Sequence, residues 1–324
     1  MTPGRDCPLS YRYSPRSFAR DPDIVAGTIL VVGGLYGNVE ALEAVLALAA
    51  KDDAAIVFNG DFHWFDTDPA DYDRIGRSVL GHFAIRGNVE TELADDDSGA
   101  GCGCGYPEEV DDGDVDRSNV IHAKLLETAR RFPELRASQR ALPMNLTARV
   151  GRASVGIVHG DASSLAGWNF AHDRLDDPKQ RRWLEGAFAE SGMDVFASSH
   201  TCLPACREFA FGATRGIVIN NGAAGMPNFA GTRHGIVTRI STRPSPVPSL
   251  YGTECHGTFV DALALDFDAQ AFERRFLASW PEGSPAHVSY YRRITRGPRF
   301  SLAQAAPLRT EISGVRLDLN KFWG

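Results

Sequence analysis

Short apolar runs alternate with stretches of helical periodicity along the first quarter of the chain. Residues 28–32, 54–58 and 82–85 are such runs, each followed by a glycine-containing turn, and they predict buried strands. After Asn38, whose side chain suits a helix N-cap, apolar side chains recur at helical spacing up to position 49. A further helical pattern precedes the third run. This alternation predicts an α/β sheet, in which ligands gather at the carboxyl ends of the strands.

The middle of the chain departs from this pattern. Residues 95–116 are acidic and rich in glycine, with Gly-Cys-Gly-Cys-Gly at 101–105, and predict a long insertion loop that could cover a site. Helical segments follow, and strand-like runs then return. The predicted helices are 119–131, 134–141 and 179–189, and the predicted strands are 146–150, 154–158, 195–197, 216–220 and 235–240.

The last quarter begins with a change of composition. Residues 242–249 are rich in proline and serine, as linkers often are. Beyond them, 262–267 and 286–294 predict strands at a sheet edge, on either side of a short helix over 269–278. We therefore expect an N-terminal lead over 1–26, one domain over 27–241 and a C-terminal extension over 242–324 that packs on the same domain.

Composition narrows the functional classes. The 324 residues are 43% hydrophobic and 23% charged, in the ordinary globular range, with a formal net charge of −7. The charge leaves no strong footprint for nucleic acid, although a small phosphorylated ligand stays possible because a bound metal can supply positive charge. We expect no signal peptide and no membrane contact, since no run approaches the ~20 apolar residues of a spanning helix. The six cysteines form no disulfide framework, so we expect a cytoplasmic protein.

Polar side chains follow four of the predicted strands. They are Asp61, Asn88, His159 and His200. An α/β sheet can bring such strand ends to one rim, and carboxylate, amide and imidazole donors together suit Zn²⁺, Mn²⁺ or iron. The sequence therefore predicts a metal site at that rim.

With these residues in place, the chain resembles the calcineurin-like metallophosphoesterases, and more specifically their small bacterial phosphodiesterase branch. That family shows D-x-H-G-N, G-D, G-N-(H/other)-(D/E), H-G-D and G-H-T-H in this order. The corresponding segments here are Gly34-Leu35-Tyr36-Gly37-Asn38, Gly60-Asp61, Gly87-Asn88-Val89-Glu90, His159-Gly160-Asp161 and Ser199-His200-Thr201-Cys202. The resemblance spans residues 27–240 and implies a four-layer α-β-β-α sandwich of the metallophosphoesterase type, here with a C-terminal extension.

The resemblance also implies two metal sites of unequal quality. The second site is complete, with Asp61, Asn88, His159 and His200. The first site shares Asp61 but has lost its other three ligands, because Gly34, Tyr36 and Cys202 stand where the family carries Asp, His and His. The histidine that often follows the family's Asn is Val89, so the usual general acid is also missing.

From this resemblance we expect a hydrolase of phosphoric esters, whether diesters or monoesters, with one intact metal site. A divalent metal (Mn, Zn, Fe or Ni) would present a bound hydroxide to the phosphorus of a small phosphorylated substrate. Asn88 and His200 would also touch the phosphate oxygens. The alternative is a non-catalytic metal- or phosphate-binding regulatory protein that kept the fold and lost the first site.

Several residues allow two interpretations. Cys202 is either a soft metal ligand or a buried thiol, and Tyr36 is either a phenolate ligand or an aromatic ring at the rim. His63 is either a catalytic acid, base or substitute ligand, or an ordinary loop histidine. Trp64 and Trp168 line a pocket or pack in the core. Asp161 is either a turn residue or a residue that orients a loop near the metal. Four thiols could also bind zinc or respond to redox state: Cys102, Cys104, Cys202 and Cys206.

Overall fold

The computed structural model of the chain describes residues 2–96, 99–212 and 214–307. Residues 308–324 of the predicted extension therefore lie outside the described part. The described strands are β1 Ile24–Ala26, β2 Thr28–Val32, β3 Ala55–Asn59, β4 Phe83–Ile85, β5 Asn145–Val150, β6 Ala153–Val158, β7 Val195–Ser198, β8 Ala205–Phe211, β9 Thr214–Asn220, β10 Gly235–Ser241, β11 Ser249–Cys255 and β12 Thr258–Leu265.

The helices fall between these strands and after them. In chain order they are α1 Val39–Asp52, α2 Pro69–Leu80, α3 Asn88–Leu93, α4 Asp112–Ala129, α5 Pro133–Ala141, α6 His172–Leu175, α7 Arg181–Ser191, α8 Ala269–Ser279, α9 Pro285–Arg296 and α10 Leu302–Ala305. Three short 3₁₀ turns cover Leu9–Tyr11, Pro15–Phe18 and Pro178–Gln180. The helices of the described residues are all too short or too polar to cross a membrane.

The strands form two six-stranded sheets. The first has the order β1-β5-β6-β7-β9-β8, and the second has the order β11-β12-β10-β2-β3-β4. β2, β3 and β4 run parallel in the second sheet, and β6, β7 and β9 run parallel in the first. The carboxyl ends of these parallel strands carry the polar residues of the predicted site.

Strand β2 shows why the sheets stack face to face. Its five residues are all buried, as expected for a parallel strand that is covered on both sides. Ile29 and Val31 lie in a hydrophobic cluster with side chains of β6 and β9 from the other sheet. Leu30 and Val32 point to the opposite face, where they pack with α1 and α2. A further cluster joins α7 to the outer face of the first sheet. The result is the predicted four-layer α-β-β-α sandwich, and the fold class is confirmed.

The C-terminal segment continues this architecture. β12 pairs antiparallel with β10 over seven residue pairs, so the second sheet includes strands from both sides of the proline-rich segment in the sequence. α8 contacts α1, and α9 contacts α4.

The predicted strand over 286–294 is wrong, because these residues form most of α9. Pro285 stands at the first helical turn, where its missing N–H costs nothing. Ala286 and Ile294, eight residues apart, share the buried face of this helix. The correction matters for the site, because α9 carries three of the residues that line it.

Candidate metal centre

The turn after β3 gives Asp61 an unusual backbone. Asp61 has φ +54°, in the left-handed region that few non-glycine residues adopt, directly after Gly60 with φ +94°. The Glu90 carboxylate holds this turn by accepting hydrogen bonds from the backbone N–H groups of Asp61 (2.9 Å), Phe62 (3.1 Å) and Gly87 (2.8 Å). Glu90 is therefore the residue that positions Asp61.

Two imidazoles meet beside Asp61, and backbone carbonyls fix their tautomers. His159 Nδ1 donates to the carbonyl of Asn59 (2.8 Å), so its Nε2 is directed at Asp61 Oδ1, 3.3 Å away. His200 Nε2 donates to the carbonyl of Cys104 (2.9 Å), so its Nδ1 faces His159 Nε2 at 3.1 Å. Such carbonyl partners on the outer nitrogen are typical of metal-binding histidines.

Asn88 completes the group. Its amide Nδ2 donates to the carbonyl of Cys102 (2.9 Å), so its Oδ1 points inward, 3.0 Å from His159 Nε2. With the protons of both imidazoles on their outer nitrogens, four acceptor atoms face one another, and Asp61 Oδ1 also accepts a long hydrogen bond from the backbone N–H of Val89 (3.3 Å). Such an arrangement is unfavourable without a cation at its centre. The donors present therefore fit a divalent metal ion, and the carboxylate and two imidazoles form a potential metal-binding group by distance.

The electrostatics agree with a cation site. Burial alone would raise the pKa of Asp61, but His159 and His200 bring that pKa below its ordinary value. Burial alone would lower the pKa of His159, but the neighbouring Asp61 raises it. Burial and the adjacent His159 lower the pKa of His200 to about 3, so His200 is a neutral imidazole with a lone pair to offer.

The half of the site that the resemblance assigns to a first metal is filled by a side chain. Gly34 has φ +59°, and a Cβ built on it would lie 2.8 Å from the hydroxyl of Tyr36 and closer still to its ring. Tyr36 Oη lies 2.9 Å from Cys202 Sγ. Burial raises the pKa of both Tyr36 and Cys202, which keeps the phenol and the thiol neutral. The Tyr36–Cys202 pair thus presents no anionic donor.

Some predicted site residues stand apart from the donor group. The Cys202 thiol bonds to Tyr36 and is not part of the Asp61, His159 and His200 group. His63 does not line the cavity: its ring stacks on Tyr72 at 4.0 Å between centroids, and its Nδ1 lies 2.5 Å from Asp66. The backbone turn at Asp61 places His63 beneath α2, so the structure does not bring this predicted catalytic group to the site.

The four cysteines considered for zinc do not assemble. Cys104 lines the cavity, whereas Cys206 lies in β8 and packs against the core between the sheets. Within the described ranges, no cluster of metal-binding type contains these thiols. Cys102 and Cys104 act through their carbonyl oxygens, because the insertion places its backbone over Asn88 and His200.

Asp161 organises the loop that follows β6. Its Oδ1 accepts from the backbone N–H groups of Ser163 (2.8 Å) and Ser164 (3.0 Å), and its Oδ2 accepts from the Asn169 side chain (2.7 Å). This loop leads to Trp168, whose ring lies edge-on to His200 with 5.2 Å between centroids. Asp161 thus shapes the wall of the site from a distance.

A cavity of about 270 Å³ opens onto the donor group. Five Tyr and Trp side chains contribute to its wall: Tyr36, Trp64, Tyr106, Trp168 and Tyr290. Arg293 of α9 also lines it and is the only lysine or arginine among the described lining residues. The sequence predicted no site role for four residues found here: Glu90, Tyr106, Tyr290 and Arg293. Only Glu90 had a signal, as the acidic residue of the Gly87-Asn88-Val89-Glu90 segment.

Comparison with known proteins relates this architecture to solved structures. No sequence profile of a protein family and no curated protein matches the chain. A metallophosphoesterase from Sphaerobacter thermophilus superposes with a TM-score of 0.54 at 16% identity, covering 84% of this chain and 100% of that one. A hypothetical protein from Pyrococcus horikoshii OT3 gives a TM-score of 0.56 at 16% identity, covering 86% of this chain and 100% of that one. At this identity the likeness concerns the fold, and the chain has the fold of the metallophosphoesterases.

Proposed function

We propose that this protein is a metal-dependent hydrolase of phosphoric esters that works with one metal ion. The observation that carries the proposal is the convergence of four acceptor atoms, from Asp61, Asn88, His159 and His200, beside a first-metal half filled by Tyr36. The cavity in front of these atoms has room for a phosphoryl group and a small organic group. We also propose that the substrate is a small phosphorylated molecule and that the protein is cytoplasmic.

A divalent ion held by these residues would supply Lewis acidity and activate water near neutral pH. The remaining work falls to the protein. The buried carboxylate of Asp61 and the carbonyl-bonded imidazoles keep the donors in place with little freedom to move. Asn88 and His200 line the cavity, so both are close to the oxygens of a bound phosphoryl group. The aromatic wall excludes water from the organic part of the ester.

The site has no general acid at the position that the resemblance assigns to one, so protonation of the leaving group should be inefficient. Val89, which is buried and apolar, stands where the resemblance places a histidine. His200 Nε2 is engaged by the Cys104 carbonyl, so it is not available as a donor. A general acid is worth roughly 10²–10⁴ in rate. Esters of acidic alcohols, which leave without protonation, are therefore the expected substrates in preference to esters of simple alkyl alcohols.

The test combines metal content with turnover. Purified protein should retain one equivalent of metal after dialysis, measured by elemental analysis. With added Mn²⁺ it should hydrolyse bis(p-nitrophenyl) phosphate or p-nitrophenyl phosphate, and His159→Ala should abolish both properties. Two retained equivalents would refute the one-metal assignment. Absence of turnover with Mn²⁺, Zn²⁺, Fe²⁺ and Ni²⁺ would refute hydrolysis of these esters.

A second candidate function rests on the same filled half-site. A protein that lost the first metal, with Tyr36 in its place, and lost the general acid at Val89 could bind a metal and phosphate without turning over an ester. The discriminating result is tight metal and phosphate binding with turnover no faster than that of His159→Ala. A matching loss of phosphate binding in that variant would then assign the protein a regulatory role.

A further inference from the structure

The guanidinium of Arg293 lies beside Cys202, in the half of the site that the resemblance assigns to a first metal. Arg293 is half-buried near the C-terminal end of α9. Its Nη2 donates to the carbonyl of Cys202 (2.6 Å), and its Nε donates to the carbonyl of Pro227 (3.2 Å). These two carbonyls fix the orientation of the planar group beside the Tyr36–Cys202 pair.

Arg293 is half-buried and has no carboxylate partner among the described residues. Other arginines that hold the C-terminal segment have acidic partners: Arg275 pairs with Glu40 and Asp71, and Arg233 pairs with Glu273. Throughout the described ranges, no carboxylate comes within ion-pair distance of Arg293, and its Nη1 makes no hydrogen bond to a protein atom. The chain has 41 acidic residues against 34 basic ones, so an unpaired, partly buried cation points to an external anion.

Two observations place this cation at the first-metal half of the site. Arg293 lines the same cavity as Asp61, Asn88 and His200. Its carbonyl partner, Cys202, bonds through its thiol to Tyr36, and these two residues stand where the resemblance places first-metal ligands.

We propose that Arg293 binds the phosphoryl oxygens of the substrate in place of the first metal ion. In two-metal hydrolases the ions, about 3.5–4 Å apart, clamp the phosphoryl group from two sides. Here one ion would act from Asp61, Asn88, His159 and His200, and the guanidinium would act from the other side. A guanidinium suits this role because its donors match phosphate oxygens and its charge does not titrate. The inference deepens the proposed function, on which its catalytic part rests.

Titration calorimetry with inorganic phosphate tests this inference, because the measurement does not depend on turnover. Arg293→Gln removes the charge, and Arg293→Lys keeps the charge but loses the planar fork. Arg292→Gln is the matched control, because Arg292 is exposed on the same helix. We expect phosphate binding to weaken at least tenfold in Arg293→Gln and three- to tenfold in Arg293→Lys, with no change in Arg292→Gln. Metal content should be the same in all four proteins.

The outcomes separate this inference from the proposed function. Phosphate binding within twofold of wild type in a folded Arg293→Gln would overturn the inference, as would a wild-type protein that binds no phosphate. Should Arg293→Gln unfold, as judged by circular dichroism, an Arg293→Lys protein with wild-type phosphate affinity would overturn it instead. A wild type that binds phosphate through Arg293 but hydrolyses no ester would leave the inference standing and remove the hydrolase proposal.

Discussion

The two halves of the site have the same type of backbone turn and differ in the chemistry of their side chains. Asp61 in one half and Tyr36 and Cys202 in the other all have positive φ, so both halves are built on tight left-handed turns at strand ends. On the Asp61 side, four acceptor atoms face one another. On the Tyr36 side, a neutral phenol and a neutral thiol satisfy one another at 2.9 Å. The side-chain donors therefore determine metal affinity, because left-handed turns present the side chains in both halves of the site.

Removing the charge of Asp61 should have the largest effect. Asp61→Ala takes away the only carboxylate of the donor group, whereas Tyr36→Phe and Cys202→Ser leave that group whole. Loss of a residue that only orients a ligand costs about 10–100-fold in metal affinity, so loss of this ligand should cost more than 100-fold. Competition with a chromophoric chelator measures all three variants. Equal losses among them would mean that Tyr36 and Cys202 are ligands too.

Glu90 should come next, because it acts on Asp61 through the backbone. Its carboxylate accepts from four backbone N–H groups of the two turns, and Gln can accept with only one of its two terminal atoms. We expect Glu90→Gln to weaken metal binding about 10–100-fold without unfolding the protein. Glu127→Gln, at an exposed position of α4, serves as the control. Unchanged affinity in Glu90→Gln would show that the turn at Asp61 keeps its shape unaided.

The pH dependence of stability should set His122, whose pKa is lowered like that of His200, apart from His159. His159 has its pKa raised by Asp61, whereas burial lowers the pKa of His122 to about 4 from an unfolded value of 6.5. The unfolded state therefore takes up this proton first, and stability falls as the pH drops below 6.5. Between pH 7 and pH 5 the loss should be about 2 kcal/mol.

Urea unfolding of the metal-free wild type and of His122→Leu, at both pH values, checks this number. The wild type should lose about 2 kcal/mol more than the variant over this interval. Parallel losses in the two proteins would show that His122 is protonated in the folded state, so that its environment is more polar than its burial indicates.

The smallest effect is expected from rebuilding the depleted half. Gly34→Asp with Tyr36→His and Cys202→His restores the donors that the resemblance assigns there, and removal of the Tyr36 ring frees the space beside Gly34. Asp at φ +59° should cost about 1–2 kcal/mol of folding stability. The triple variant should bind a second, weaker Mn²⁺, measured by calorimetry. A folded triple variant that stays at one metal would show that the loops have diverged beyond repair by side chains alone.

Local pattern was enough to predict nine of the twelve described strands and the ligand-bearing turns, but not β1, β8 or β11. β2 and β3 are continuous apolar runs because both of their faces are buried, and the polar residues stand directly after such runs. The sequence of α9 predicted a strand because it contains too few buried apolar residues to show a helical period. Burial of Ala286 and Ile294 depends on partners that are distant in sequence.

Other parts of the site depend on contacts that no local pattern encodes. The carbonyls of Cys102 and Cys104 orient Asn88 and His200, and any residue at those two positions would offer the same carbonyl oxygen. Arg293 reaches Cys202 across 91 positions of the chain. His63 was a reasonable candidate two residues after Asp61, but the left-handed turn directs it under α2. Tertiary placement decides all three cases.

The central claim is that one half of this site binds a metal and the other half does not. Anomalous diffraction from a crystal soaked in Mn²⁺, recorded at the manganese edge, tests it directly. We expect one peak, within coordination distance of Asp61, Asn88, His159 and His200, and no peak between Tyr36 and Cys202. A second peak of similar height about 3.5–4 Å from the first would contradict it.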